Sequence, residues 1–436
     1  MGELLRDCMD SKPFISIILP TRDRSSLVPI VLTFIQQQSY TNFEVIISDN
    51  GTSDLCHDVV KPFLSDTRFR YKRAPFSMDM CTHWDFAIED ARGDYLTIFC
   101  EKFMLRPDAL AWIAKEVSQS QPDVLTWQFD IFDANEQTSD NQLLGYYHPL
   151  VKPGHSFHYS ASDELARRFS FAYPIFSRCH RNKDSYGKIY SGCVSSQIIH
   201  RVKQKFGRVF HPFSPDFTSM VAILNESHTC VDINQSLMML LNLDGTSNGE
   251  KTRVSLAASM RFFESFGIEL TQYFSSLPIE NYWIGHNVMV ANDFVTIQEK
   301  AVGGVVKKLT LNKSALAYWA KKDAENILDW NGHEPSFFSR QLAPYLDGLT
   351  EADKQQLAHS TTLKDTPNVN EIYHSGLTKI GHFKPNTSAI ELANIHWHEG
   401  KAPPRKNVVN ESTSLVEAVR YLYDYNKESC RLLKIT

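Results

Sequence analysis

Glu101 and Lys102 follow an apolar run, Tyr95 to Phe99, with Cys100 between, and the chain then enters Leu105-Arg106-Pro107, which reads as the approach to a helix. A carboxylate there can hold a cation, and an ammonium can neutralise an anion. A second apolar run ends at Asp49, where Asn50-Gly51 turns the backbone. Its carboxylate suits hydrogen bonding to a base or ribose, or capping of the turn itself. The stretch SRCHRNKDSYGKIYSG gathers Arg178, His180, Arg181 and Lys183. Such a patch could receive a diphosphate or an anionic acceptor, and it could equally be a solvated loop. Lys102 has its own plainer reading as an exposed lysine.

These residues need elements to hold them. Phe14 to Leu19 reads as a strand, Leu27 to Gln38 as a helix capped near Ser25 or Ser26, and Phe43 to Ile47 as a strand. A helix from Ser53 or Asp54, a short strand Phe69 to Lys72, a helix Met80 to Ala91 and a strand Tyr95 to Phe99 follow. Strands separated by helices of this length pair in parallel, giving a doubly wound, mostly parallel α/β sheet. Ligands collect at the carboxyl ends of such strands. That places four loops in one crevice: Pro20 to Ser25, Asp49 to Asp54, Ala74 to Met80 and Cys100 to Met104.

Beyond Val124 to Phe129, another strand candidate, a polar stretch from Asp133 to Gln142 loosens the pattern. Ile198 to Phe206 and Thr218 to Leu224 read as helices and TCVDI as a strand; after Lys251 the periodicity turns helical. The expected division is 1–249 for the α/β domain and 250–436 for a mostly helical region.

Composition narrows the class. With 436 residues and 42% hydrophobic content the chain can bury a large core. Its 45 basic and 50 acidic residues are well mixed, giving a net charge of -5 and no footprint for nucleic acid. Eight cysteines without a C-x-x-C pair suggest neither a zinc knuckle nor a disulfide framework, and a reduced, cytoplasmic setting is expected. The sequence has no apolar stretch of about 18 residues, so any membrane contact is expected to be peripheral.

FISIILPTRDRSSL, SYTNFEVIISDNGTSD, CTHWDFAIEDARGDYLTIF and LRPDAL, in this order and spacing, resemble the family 2 inverting glycosyltransferases of the GT-A fold. The resemblance runs from about Phe14 to about Gly249. It implies a nucleotide-sugar donor, most often a uridine diphosphate sugar, and a glycan acceptor. It assigns Pro20, Thr21 and Arg24 to the donor's nucleotide, Asp49 to the uracil, and Asp54 to the cap of the next helix. Pro75, Ser77 and Met78 would line the donor pocket. Arg22 and Asp23 depart from the family's usual Tyr and Asn.

The larger departure is at the metal motif. The family's usual Asp-x-Asp-Asp falls on Cys100-Glu101-Lys102-Phe103, so both motif aspartates are gone. Three readings stay open. Lys102 replaces the metal: an ammonium about 4 Å from the departing phosphate contributes roughly 4 kcal/mol at an effective dielectric of 20, before desolvation. Glu101 alone holds Mg²⁺ or Mn²⁺ with the diphosphate and water. Or catalysis is lost, and the domain is a silent nucleotide- or glycan-binding scaffold.

The resemblance also places an acidic residue late in the domain as the general base, here Asp216 in FHPFSPDFTSM, where a helix N-cap is the alternative role. Tyr186 and Tyr190 could stack on sugar rings. His155 with His158, and His396 with His398, lack a third ligand at recognisable spacing, and Trp84 reads as core. The role expected of the whole is hexosyl transfer, with surface polysaccharide synthesis as its setting by family analogy.

Overall fold

The structure is a computed structural model that describes residues 12–138, 142–148, 153–174, 185–190, 192–243, 248–362 and 412–435. Its first part alternates: β1 (Ile15–Thr21), α1 (Val28–Gln36), β2 (Phe43–Asp49), α2 (Leu55–Val60), β3 (Phe69–Arg73), α3 (Met80–Ile88) and β4 (Tyr95–Ile98). β1 lies parallel to both β2 and β4, and β2 parallel to β3. Successive strand residues point to opposite faces. Ile15, Ile17 and Leu19 of β1 accordingly enter one core with α1, while Ile18 enters the other with α3.

β5 (Phe103–Leu105), α4 (Ala109–Ser120), β6 (Val124–Gln137), β7 (Leu143–His148), β8 (Phe157–Tyr159), α5 (Ala161–Ser170), β9 (Gly192–Ser195), α6 (Ser196–Phe206), α7 (Pro215–Glu226) and β10 (Cys230–Asn242) extend the fold. β9 runs antiparallel between β4 and β6, β10 runs parallel to β6, and β5 and β8 pair antiparallel with β10. The sheet is mixed but keeps a parallel heart at β3-β2-β1-β4. Gly93 sets the entry to β4, since a Cβ there would meet the Ser16 amide nitrogen at 2.5 Å.

The helical region comprises α8 (Asn248–Val254), α9 (Leu256–Glu264), α10 (Leu270–Ser275), α11 (His286–Lys300), α12 (Lys313–Ala324), α13 (Pro335–Leu346) and α14 (Glu351–Thr362). After β11 (Thr413–Ser414) comes α15 (Leu415–Leu433), opened by a reciprocal cap between Ser414 and Glu417. Phe294 of α11 and Leu316 of α12 share a core with Phe217 and Met220 of α7. Leu415, Val419 and Leu422 of α15 join the core on the opposite sheet face.

Several local expectations change. The polar stretch from Asp133 is strand: β6 continues to Gln137 and pairs with β7, its polar residues lying on a long hairpin. Neither Ser25 nor Ser26 caps α1; Leu27 holds that position without a side-chain bond, and a proline opens the first turn. Asp54 occupies the cap position of α2, but its carboxylate is taken by Arg73 instead of the helix amides.

Candidate active site

The four loops at the carboxyl ends of β1 to β4 are tied to one another by side chains. Asp23, with φ 54°, accepts hydrogen bonds from the Thr52 amide at 2.7 Å and hydroxyl at 2.9 Å. Asn50 receives the Met78 amide at 3.0 Å and donates to the Met78 carbonyl at 2.8 Å. Arg22 reaches the same carbonyl at 3.4 Å and the Ser77 hydroxyl at 3.3 Å. Arg24 pairs with Glu101 at 3.5 Å. The four loops thus meet as one cluster.

Asp49 lies fully buried among these loops, one oxygen accepting the Gly51 amide at 2.7 Å and the other the Tyr71 hydroxyl at 2.7 Å. The carboxylate is therefore held rigidly while each oxygen keeps further acceptor capacity. Burial, then Asp49 itself, pushes the Tyr71 phenol upward, so it stays a donor. Pro20 and Thr21 are buried beside it, and the Thr21 hydroxyl has no hydrogen-bond partner among the described residues. Below, His83 contacts the Ser48 hydroxyl at 3.0 Å, and burial lowers it to about 4, leaving a neutral imidazole. Ser77 is exposed at the rim and Met78 is buried.

Cys100 to Lys102 form a tight turn between β4 and β5. The Phe103 amide returns to the Cys100 carbonyl at 3.2 Å, and the Leu241 amide of β10 donates to the Lys102 carbonyl at 2.7 Å. Glu101 is 2% exposed and Lys102 8%, which removes the reading of Lys102 as a solvated lysine. Burial works against the Arg24 charge, yet Glu101, Cys100 and Tyr190 together raise its pKa above the ordinary value. Burial, then Glu101, raises the Cys100 thiol; a hydrogen bond with Tyr190 and the Lys102 charge oppose the rise. Behind the turn, Arg106 is buried and donates to the Gln235 side chain at 3.1 Å and the Ser236 carbonyl at 3.2 Å, fixing the exit of β5 to β10.

Tyr190 connects this turn to the rest of the site. It forms a bridge with Ile98 at the end of β4, and its ring stacks on Trp84 at 5.5 Å and tilts against Phe103 at 5.2 Å. Trp84 is thus half-buried packing for that ring. Burial and Cys100 raise the Tyr190 phenol well above its ordinary pKa, with Asp216 and Glu101 adding to it. Tyr186 spends its ring on Tyr159, stacked at 4.2 Å, so it is not open to a sugar.

Asp216 is the second residue of α7. Ser214 holds the cap position, which excludes the N-cap role for Asp216. Its carboxylate meets the Lys188 ammonium at 3.3 Å. Beneath it, Asp293 of α11 accepts the Phe213 amide at 2.8 Å, and burial pushes its carboxyl up to about 8.

Arg178, Arg181 and Lys183, with His180, lie outside the described residues, as do His396 and His398. His155 and His158 are exposed. Among the described residues no three His, Cys, Asp or Glu side chains gather into a metal site. In the turn from Cys100 to Lys102 the donor set does not fit Mg²⁺ or Mn²⁺: Cys100 is a soft ligand, Lys102 is cationic, and Glu101 is engaged by Arg24.

Residues 16–176 match the family model described as Glycosyl transferase family 2. Over these residues the chain is similar to that family, and its α/β sheet is of the GT-A type. Glycosyltransferase GlyG of Streptococcus pneumoniae serotype 4 is 21% identical over 123 residues, which is 28% of this chain and 41% of that protein. The chain thus spans about two fifths of the curated relative it matches. Among solved structures, S. aureus TarS 1-349 in complex with UDP-GlcNAc superimposes with a TM-score of 0.44 and 11% identity, covering 78% of this chain and 93% of that one. The mannosyltransferase PcManGT from Pyrobaculum calidifontis, in complex with GDP-Man and Mn²⁺, gives a TM-score of 0.40 and 11% identity over 85% and 84% of the two chains.

Sequence reasoning missed Lys188, Asn50 as the clamp on Met78, and Asp293. Asn50 stood in a turn dipeptide that explained it fully, and Asp293 sits in a helix far from the motifs. Lys188 lies in the stretch that gathers Arg178, His180, Arg181 and Lys183, but nothing local singled it out there.

Proposed function

We propose that the chain transfers a sugar from a nucleotide diphosphate donor, a UDP-sugar, to a glycan hydroxyl with inversion and without a divalent metal. The observation that carries this reading is the reach of residues 188–190 across the site: Tyr190 bonds with Cys100 in the motif turn, and Lys188 pairs with Asp216. Motif turn and base candidate thereby share one locality.

In the reaction, Asp216 accepts the proton of the acceptor hydroxyl as its oxygen attacks the anomeric carbon from the face opposite the nucleotide. The bond from that carbon to the diphosphate oxygen breaks with its electron pair, and Arg24 and Lys102 meet the charge left on the diphosphate. Asp49 receives the uracil, with Pro20, Thr21, Ser77 and Met78 around the nucleotide. Arg178, Arg181 and Lys183 are proposed to receive phosphate or acceptor. The helical region 250–436 completes the acceptor side or serves assembly. A cytoplasmic setting, in which the six free thiols among the described residues stay reduced, and a role in surface polysaccharide synthesis by family analogy complete the proposal.

The test is calorimetric titration with UDP in excess chelator and in Mn²⁺, followed by UDP-release assays with UDP-glucose, UDP-galactose and UDP-GlcNAc and a panel of p-nitrophenyl glycosides. Equal binding in both buffers, turnover with one pair, and an Asp216→Asn variant that binds UDP but does not turn over are expected. Binding only with Mn²⁺ would return the role to Glu101 as metal ligand. Binding without any turnover would leave a silent scaffold.

A further inference from the structure

The assignment of Asp216 leaves unexplained a buried ammonium beside it. Lys188 is 7% exposed, a rare state for a lysine unless a counter-charge accompanies it. Two consecutive residues of the first turn of α7 supply its surroundings. Asp216 gives a carboxylate oxygen at 3.3 Å, and the Phe217 ring lies 3.9 Å from the nitrogen. Ring and carboxylate together fix the ammonium on one side of Asp216.

The backbone of Lys188 is anchored independently of α7. Its amide bonds to the Ser185 carbonyl at 3.1 Å, and the next residue's carbonyl accepts the Ile98 amide of β4 at 3.0 Å. Gly192 lets the chain close over it, since a Cβ there would lie 2.1 Å from the Lys188 carbonyl oxygen. Lys188 is therefore fixed to the sheet, whereas Asp216 belongs to a helix packed on it. Their ion pair spans that boundary and sets where the carboxylate stands relative to the motif turn. The Asp216 side chain remains 25% exposed, so the carboxylate also keeps an open side.

We infer that Lys188 is the positioning residue for Asp216: it aims the carboxylate at the acceptor hydroxyl and holds the start of α7 against the strand that bears the motif turn. This rests on the reading of Asp216 as the general base. A purely structural lysine would affect folding or binding when removed. A positioning lysine affects the chemical step.

The test uses the full chain, the donor and glycoside pair that releases UDP fastest, and UDP calorimetry. Lys188→Met is expected to lower kcat about 10- to 100-fold, with the UDP Kd and the acceptor KM within about twofold of wild type. Lys188→Arg, which restores the charge, is expected to recover most of the rate. Combined with Asp216→Asn, Lys188→Met is expected to cost nothing further, since two residues acting as a unit are not additive. If Lys188→Met loses its cooperative melt, Lys188→Gln replaces it with the same expected result.

Wild-type kcat in the Lys188 variants beside an inactive Asp216→Asn overturns the positioning role alone. Full turnover by Asp216→Asn overturns the base assignment, and the inference with it. No UDP release by the wild-type chain with any pair overturns the enzymatic reading itself.

Discussion

The Arg24 guanidinium stands 3.5 Å from the Glu101 carboxylate, so the acidic residue of the turn from Cys100 to Lys102 is occupied by a cation from the protein. The pair joins the ends of β1 and β4, across which the donor's diphosphate is proposed to lie. Arg24→Gln removes a charged donor from this position. A weakening of UDP binding by about 10- to 100-fold is expected, since hydrogen bonds to charged groups contribute about 1.5–3 kcal/mol. Calorimetry in chelator reads it directly, and an unchanged Kd would take Arg24 out of the donor site.

Placing aspartates in the turn offers the reciprocal experiment. Cys100→Asp combined with Lys102→Asp places oxygen ligands at both positions and removes the competing ammonium. UDP binding by this double variant is expected to become dependent on Mn²⁺, with chelator lowering affinity at least about tenfold. If the variant binds equally in both buffers, the turn does not address the diphosphate.

Asp49 can be tested through its neighbour. Tyr71→Phe removes the hydroxyl that bonds one Asp49 oxygen at 2.7 Å but leaves the Gly51 amide on the other. The expected cost is about 1–2 kcal/mol of stability, seen as a lower denaturant midpoint at constant m. UDP binding should weaken only modestly in Tyr71→Phe and far more in Asp49→Ala. Equal UDP affinity in Asp49→Ala and wild type would remove the uracil contact.

Asp293 predicts a pH dependence of stability. Burial pushes it up to about 8, while the unfolded chain releases that proton near about 4. Between those values the native state binds more protons than the unfolded one. Stability therefore falls as pH rises through this window, and the penalty is complete above about pH 8. Asp293→Asn stays neutral and can still accept the Phe213 amide, so its melting temperature should decline less than that of wild type from about pH 5 to about pH 9. Parallel profiles would refute the assignment.

The parallel heart of the fold was legible because its strands are apolar, short and bounded by turn residues, so that pattern and pairing agree. The loop cluster was legible for the same reason: its loops follow strands that could be located. The polar second half of β6 was not, because Asp133 to Gln137 reads as loop until the pairing with β7 is seen. Which of the two readings of Lys102 holds could not be settled locally, because the strand whose Leu241 amide clamps its carbonyl comes from far along the chain. Lys188 illustrates the limit best. Its significance depends on Asp216, 28 residues away on another element, and no local periodicity encodes that meeting.

The packing of α15 onto the sheet has a consequence for the order of synthesis. Ile131, Phe132 and Tyr147 enter the same core as Leu415, Val419 and Leu422, and the Tyr147 ring meets Tyr421 edge-on at 5.6 Å. As the chain leaves the ribosome, the strands appear long before the helix that covers this face. The β6–β7 part of the nascent sheet must carry apolar surface that awaits α15 through the whole translation of the helical region. Maturation of the fold is thus timed by the arrival of residues 415–433, and a stalled or prematurely terminated chain would present that surface to chaperones.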